Sequence, residues 1–347
     1  MGGRRRLEGN RPEPGWFTLL WLTLALAGCP STDARKGRPT DAGAPICPTA
    51  DPSACFDRGV SLLDRQPEQA AKAFGMACDA GVGGACNNLG ALYAEGRGVA
   101  RNPARAAALY ERACAAGAAH GCYSLATIVG EGKQGSQRDL VKAFALASRA
   151  CALGHAHGCD RVAMALANGQ GVAADKHEAM ALWERACSGG VDRACAALGI
   201  NLVVGADGVA RDAARGEQLL LKACNANYAP ACKDLGGMHL GKALPNSNAD
   251  KGIVLLTNAC NLSYGEGCNK LGVAHVQGVG VTSDMKRAAE LFERACKLDS
   301  ATGCANLGVA AEHGDGIPKD PQRAATLRAK ACKGGHQASC SHGAGAP

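Results

Sequence analysis

The stretch Cys114–Ala–Ala–Gly–Ala–Ala–His–Gly–Cys122 sets two cysteines eight positions apart, astride a corner of small residues. The same spacing separates Cys47 from Cys55, Cys78 from Cys86, Cys151 from Cys159, and Cys187 from Cys195. It recurs between Cys224 and Cys232, Cys260 and Cys268, Cys296 and Cys304, and Cys332 and Cys340. These nine pairs take 18 of the 19 cysteines and leave Cys29 alone. From Cys78 onward, successive pairs start 36 or 37 residues apart. A fixed period of that length marks a repeat array, in which each unit buries its apolar face against its neighbours.

Alignment on the first cysteine gives each column a role. Twelve residues before it stand Asn102, Asp139, Asp175, Asp212, Asn248, Asp284 and Asp320. Asp and Asn are strong N-cap residues, because the short side-chain oxygen accepts an orphan backbone N–H. A helix therefore starts at each. Five before the cysteine a Leu recurs (109, 146, 182, 219, 255, 291, 327), with a small residue three positions earlier on the same helix face. Two before it come Arg112, Arg149, Arg185, Lys222, Arg294 and Lys330, cations in the last turn, where a helix dipole favours them. A second helix opens around the second cysteine. It carries Leu or Val three residues on and Gly or Ala four on, as if another helix packs too closely there for a side chain. It stops at Gly-x-Gly turns such as Gly96–Arg–Gly–Val99 and Gly169–Gln–Gly–Val172, which read as helix ends rather than phosphate loops, since no strand precedes them and no Lys-Ser/Thr follows. Each unit is helix, Gly turn, helix, tight corner. Eight hairpins result, the first abbreviated around Leu62–Leu–Asp–Arg–Gln–Pro67.

Three chemistries compete for the cysteines. Zinc sites want Cys-x-x-Cys or nearby His, and no pair has that spacing; redox catalysis wants Cys-x-x-Cys or one activated thiol. The remaining reading is a structural disulfide across each corner, closing a nine-residue loop for about 2–3 kcal/mol. The pair Cys332 and Cys340 is the open case, because no full helix follows Cys340.

Composition narrows the function. The net charge of +7 is modest and dispersed, with only 4% aromatic residues, so no nucleic-acid footprint is visible. Regular cysteine pairing suggests an oxidising compartment. At the N-terminus Arg4, Arg5, Arg6 and Arg11 precede the apolar run from Trp16 to Ala27, the architecture of a signal peptide, with an uncut anchor as the alternative. Leu26–Ala27–Gly28–Cys29 resembles the lipobox of bacterial lipoproteins, which implies cleavage before Cys29 and its acylation. The expected organisation is a signal peptide over 1–28, a flexible tether over 29–46, the repeats over 47–340 and a disordered tail over 341–347.

Leu-Tyr-Glu-Arg-Ala (109–113), Leu-Gly-Ala-Leu-Tyr (89–93) and Gly-x-Gly-Val resemble Sel-one-like repeats, relatives of the tetratricopeptide repeat. The added cysteine pairs make the chain similar to the secreted cysteine-rich proteins first described from Helicobacter. The resemblance spans 47–340 and implies an all-α fold, a right-handed α-solenoid of about eight helical hairpins. Two turns depart from it, Gly132–Lys–Gln–Gly–Ser136 and Gly241–Lys–Ala–Leu–Pro245, and both are expected to be distorted.

The cysteine-rich family is also catalogued as penicillin-binding or β-lactam-hydrolysing. Ser283–Asp–Met–Lys286 matches Ser-x-x-Lys, but the companion Ser-Asp-Asn and Lys-Thr-Gly motifs are absent, and Asp284 is already a helix start. His155–Ala–His157–Gly–Cys–Asp160 resembles a metal-binding His-x-His, yet Cys159 belongs to a pair. His120, His239, His275 and His313 repeat no spacing to a carboxylate or serine. No catalytic residue, metal site or cofactor is therefore assigned. What remains is a surface: related solenoids bind proteins or peptides on a concave face lined by the first helix of each hairpin. The column two residues after the second cysteine, Asn88, Ser124, Arg161, Ala197, Asp234, Lys270 and Asn306, is the candidate binding column. The expected function is an extracytoplasmic scaffold, lipid-anchored in a bacterial cell envelope, for a protein or peptide partner; β-lactam hydrolysis and a purely structural spacer are the alternatives.

Overall fold

A computed structural model describes residues 46–47, 51–133, 137–205 and 208–340. The proposed signal peptide, Cys29, the tether up to residue 45 and the tail lie outside the described residues, as do 134–136 of the first departing turn. The described chain is an α-solenoid without strands. Its elements are α1 (Pro52–Leu62), α2 (Pro67–Asp79), α3 (Gly83–Glu95), α4 (Pro103–Ala115), α5 (Ala119–Glu131), α6 (Leu140–Ala152), α7 (Ala156–Asn168), α8 (Lys176–Ser188) and α9 (Asp192–Val204). There follow α10 (Ala213–Asn225), α11 (Ala229–Leu240), α12 (Ala249–Asn261), α13 (Gly265–Gln277), α14 (Met285–Lys297), α15 (Ala301–His313), α16 (Pro321–Lys333) and the single turn α17 (Gln337–Cys340). Odd and even helices pair into eight hairpins. Successive odd helices, such as α3 on α5 and α11 on α13, also touch directly. Elements on the inside of a curved stack approach one another most closely, so the odd helices form the inner face.

The capping column does what its chemistry requires. All seven Asp/Asn side chains accept the backbone N–H three residues on, from Arg105 to Asn102 at 3.0 Å through Arg323 to Asp320 at 2.9 Å. Each joint is closed by a disulfide. Cys47 is bonded to Cys55, Cys78 to Cys86, Cys114 to Cys122, Cys151 to Cys159 and Cys187 to Cys195. Cys224 is bonded to Cys232, Cys260 to Cys268, Cys296 to Cys304 and Cys332 to Cys340. The Cα–Cα distances are 4.4–5.0 Å, within ordinary disulfide reach. The second members Cys86, Cys122, Cys195, Cys232, Cys268 and Cys304 are fully buried or nearly so, each in the first turn of an odd helix. Cys55 holds the same place in α1. The last bond closes as the others do, because α17 supplies the one turn Cys340 needs.

The recurrent glycine four residues after the second cysteine faces a large side chain from the even helix of the same hairpin. A Cβ on Gly272 would lie 2.6 Å from the Phe292 ring, and one on Gly90 2.8 Å from Tyr110. Those rings belong to a column four residues before the first cysteine: Phe74, Tyr110, Trp183, Leu220, Leu256 and Phe292, all buried. Ala147 holds this place in α6. In α16 it is Arg328, ion-paired to Glu312 of α15.

The basic column is a finding of a different kind. Its cations leave their own helix and donate to the C-terminus of the preceding even helix. Arg112 Nη2 reaches the Cys78 carbonyl at 3.2 Å, Arg294 reaches Cys260 at 2.9 Å, and Lys330 Nζ reaches Cys296 at 2.8 Å. Arg149 and Arg185 make the same contact at 3.4 Å to Ala115 and Cys151. The dipole they complement is their neighbour's, so the column joins units rather than finishing helices.

The two departing turns differ from each other. Gly132 caps α5 in the left-handed conformation (φ 64°), as the regular turns do. Gly241 does not (φ −80°): α11 stops a turn position early, Lys242 takes the positive φ of 56°, and Leu244 folds back into the core, held by Ser247 Oγ.

Candidate partner-binding surface

The proposed column lies along the inner, odd helices, and each member is half-buried except the exposed Lys270. Ser124, Arg161 and Asn306 reach back to the odd helix before, while Asn88 and Asp234 contact the adjacent residue of their own helix. Ser124 Oγ donates to Asn87 Oδ1 at 3.1 Å, and Asn306 Nδ2 to Asn269 Oδ1 at 2.8 Å. Arg161 Nη1 lies 3.5 Å from Thr127 Oγ1, Asp234 pairs with Lys233, and Asn88 accepts from Asn87 Nδ2 at 3.4 Å. The column is thus a seam between units as well as a surface.

Three cavities open along this face, and each contains one member of the column. The first, about 240 Å³ between α5, α6 and α7, is walled by Tyr123, Phe144, Ala147, Arg161, Met164 and Arg193. The second, about 190 Å³ between α13, α14 and α15, is apolar, with Val273, Met285, Phe292 and Val309 around Asn306. The third, about 450 Å³, surrounds Lys270 between α11, α12 and α13. The column alone did not reveal Tyr123, Met164, Val309 and Arg193. They stand one, five or two positions away from the cysteines, and the repeats vary there, so no single column carried a signal.

Beside the first cavity is a buried ion pair. Asp160 is almost fully buried and pairs with Arg193 of the next odd helix. Its other oxygen and the Trp183 indole N–H face each other without a formed hydrogen bond. Burial pushes the Asp160 carboxyl up, against the pull of Arg193. Next to it three imidazoles gather around Tyr123. His155 stacks on that ring at 4.6 Å and meets His120 edge-on at 4.6 Å, with His157 5.9 Å away. His155 Nδ1 accepts the Gly158 N–H at 3.1 Å and caps α7. Burial, then the neighbouring His120 and His157, lowers its pKa to about 4. His239 is buried as well, 3.5 Å from Glu217, and accepts the Asn248 backbone N–H at 3.3 Å; burial lowers its pKa against the pull of Glu217.

The residues weighed for catalysis occupy structural places. Ser283 Oγ donates to the Val276 carbonyl at 3.2 Å, and Asp284 caps α14 by accepting from Arg287. Cys159 is bonded to Cys151, and Asp160 to Arg193, so the His-x-His stretch is a helix cap beside an ion pair. No cluster of three His, Cys, Asp or Glu suited to a metal occurs among the described residues.

Hairpins stapled at every corner, with cavities along one face and helix-building roles for the polar motifs, define a disulfide-stapled helical repeat scaffold. The Sel1 repeat family matches residues 84–117, 119–155, 156–191, 192–228, 265–300 and 301–336, more than half of the chain, and the chain belongs to that family. Among solved structures it is similar to c5321, a protective antigen of uropathogenic Escherichia coli with an SLR fold (22% identity, TM-score 0.73, 85% of this chain and 64% of that one). The chain thus spans just under two thirds of that antigen's length. It is also similar to a Sel1 repeat protein from Oxalobacter formigenes (22% identity, TM-score 0.63, covering 84% and 86%). Helicobacter pylori cysteine-rich protein B aligns over 36% of this chain and 95% of its own, at 32% identity and a TM-score of 0.30. No curated protein matches the chain by sequence.

Proposed function

We propose that the protein is an extracytoplasmic scaffold, tethered to a bacterial membrane through an acylated Cys29, that captures a protein or peptide on the face formed by its odd helices. The observation that carries this reading is the row of three cavities on that face, each holding one residue of the predicted column, Arg161, Lys270 or Asn306. Concave pockets walled by apolar groups with a few polar ones are what a bound segment requires. Nine disulfides support folding in an oxidising compartment. No described helix is long and apolar enough to cross a membrane.

Crosslinking in intact cells with mass identification, comparing the native chain with one carrying Ala at Asn88, Ser124, Arg161, Asp234, Lys270 and Asn306, tests the binding face. Loss of a specific envelope protein on substitution is expected; an unchanged set of captured proteins sinks the reading. The tether is tested separately, since Cys29→Ser should move the protein from the membrane to the soluble fraction.

A further inference from the structure

We propose that the cavity between α5, α6 and α7 receives an acidic side chain of the bound peptide segment, with an apolar residue of that segment beside it. This rests on the odd-helix face being the binding face, and three observations specify the occupant.

The cavity has a structural origin. Four residues before the first cysteine, six hairpins place a bulky side chain, from Phe74 to Phe292, against the odd helix. The hairpin of α5 and α6 places Ala147 there, and the cavity beside it is wider, about 240 Å³ against about 190 Å³ for its equivalent beside Phe292. Apolar groups of Leu140, Ala143, Phe144 and Met164 form much of the remaining wall, beside Tyr123 and Gln170.

The charge inside is unbalanced. Two guanidiniums line the cavity, those of Arg161 and Arg193. Asp160 neutralises Arg193. Arg161 has no carboxylate partner among the described residues; its polar contact is the Thr127 hydroxyl, at 3.5 Å. One uncompensated positive charge therefore sits half-buried against apolar walls, where attraction to an anion is stronger than in open water. A guanidinium binds a carboxylate through charge-assisted, often paired hydrogen bonds.

Of the three cavities this one alone holds a half-buried cation in excess, since Lys270 in the third is exposed and shares the lining with Glu266. The equivalent cavity around Asn306 has no cation in its lining and includes Asp315. An acidic residue is thus favoured at one point along the face, which would also fix the register and direction of a bound segment.

Selection of a random dodecapeptide display library on the full-length chain, followed by fluorescence anisotropy with the tightest synthetic peptides, tests the proposal. The selected peptides should share an Asp or Glu next to an apolar residue. Changing that acid to its amide should weaken binding at least tenfold, and Arg161→Gln should do the same. Arg161→Glu should transfer preference to the peptide with Lys in place of the acid, and Ala147→Leu should weaken binding by narrowing the cavity. Arg193 is left intact, because its removal strands the buried Asp160. Peptides without a shared acid, unaffected by R161Q but lost on Val309→Asp, would overturn the acidic site and leave the face standing. Binding indifferent to both substitutions overturns the face as well. Failure to recover any binder, or displacement by citrate as effective as by unlabelled peptide at equal charge, also overturns the acidic-segment site.

Discussion

Three residues after each first cysteine the corner turns through a left-handed residue at all eight joints from Cys78 onward. Five of these are glycine; the others are Asn227 (φ 66°), Ser263 (φ 61°) and Asp299 (φ 58°). A residue with a Cβ is disfavoured there by roughly 1 kcal/mol, and Asn or Asp less than Ser. Ser263→Gly should therefore stabilise the protein by about 0.5–1 kcal/mol, while Gly117→Ala, with open space around its Cβ position, should cost about 1 kcal/mol through backbone strain alone. Urea unfolding with disulfides intact measures both. The corner was legible as a run of small residues, but the special position within it was not, because Asn, Asp and Ser hide a column that glycine alone would mark. His155 carries the second residue-scale consequence. Its Nδ1 must stay unprotonated to cap α7, and its pKa falls from 6.5 to about 4 on folding. A base with a lowered folded pKa binds fewer protons folded than unfolded, so this contribution is full above pH 6.5 and is lost as pH falls toward 4. The loss is on the order of 3 kcal/mol. His155→Asn keeps a capping side chain without titrating, so its urea midpoint should fall less between pH 7 and pH 4.5 than that of the native chain. Equal slopes would show that the imidazole is not what senses acid.

Helices were the most legible feature, since N-caps, Leu columns and Gly turns each state a boundary in local chemistry. Partner choice between helices was not. The basic column reads in one dimension as the end of its own helix, and only stacking shows five of its six cations serving a carbonyl 34 residues earlier, as Arg294 does for Cys260. Lys222 meets the Cys187 sulfur instead, at 3.9 Å. Between α12 and α10 that bond is missing, because residue 258 is Asn where six other units have Arg or Lys. Asn258→Arg should therefore supply a donor to the Cys224 carbonyl and stabilise the junction by roughly 0.5–1.5 kcal/mol, the net worth of a hydrogen bond from a charged group near a helix C-terminus. A rise in the urea midpoint with an unchanged slope is the expected result. No change would mean that the cations elsewhere act on their own helices, as the sequence alone suggested. The glycine column behaves in the same way: the sequence announced a close approach, and the structure named Tyr110 and Phe292 as the groups approaching.

In a stack where each unit contacts only its neighbours, stability is a sum of local terms, and a run of weak terms becomes a place where the molecule opens. Several weak terms coincide between Asn225 and Gly265. The corners on both sides turn at non-glycine residues, Asn227 and Ser263; α11 ends early at a turn where Lys242 holds a positive φ; and residue 258 gives no cation to α10. Cavities of about 450 and 420 Å³ adjoin the same helices. The family pattern itself skips from residue 228 to residue 265. Leu244 and the His239–Asn248 bond offset part of this, and the disulfides of Cys224 with Cys232 and Cys260 with Cys268 remain, but a staple across a corner does not hold one hairpin to the next. Native-state hydrogen exchange should therefore find the amides of α11 and α12 less protected than those of α3, α4, α14 and α15, although they are farther from either end than α3 or α15. Asn258→Arg combined with Ser263→Gly should raise protection in α11 and α12 and leave α3 and α4 unchanged. Protection that simply declines from the middle outward would mean that end fraying outweighs the local defects. The third cavity, around Lys270, lies against this weak unit, whereas the Arg161 cavity lies among regular ones. A segment bound along the whole face would then protect α11 and α12 most on binding, and one seated only at Arg161 would leave their exchange as it was.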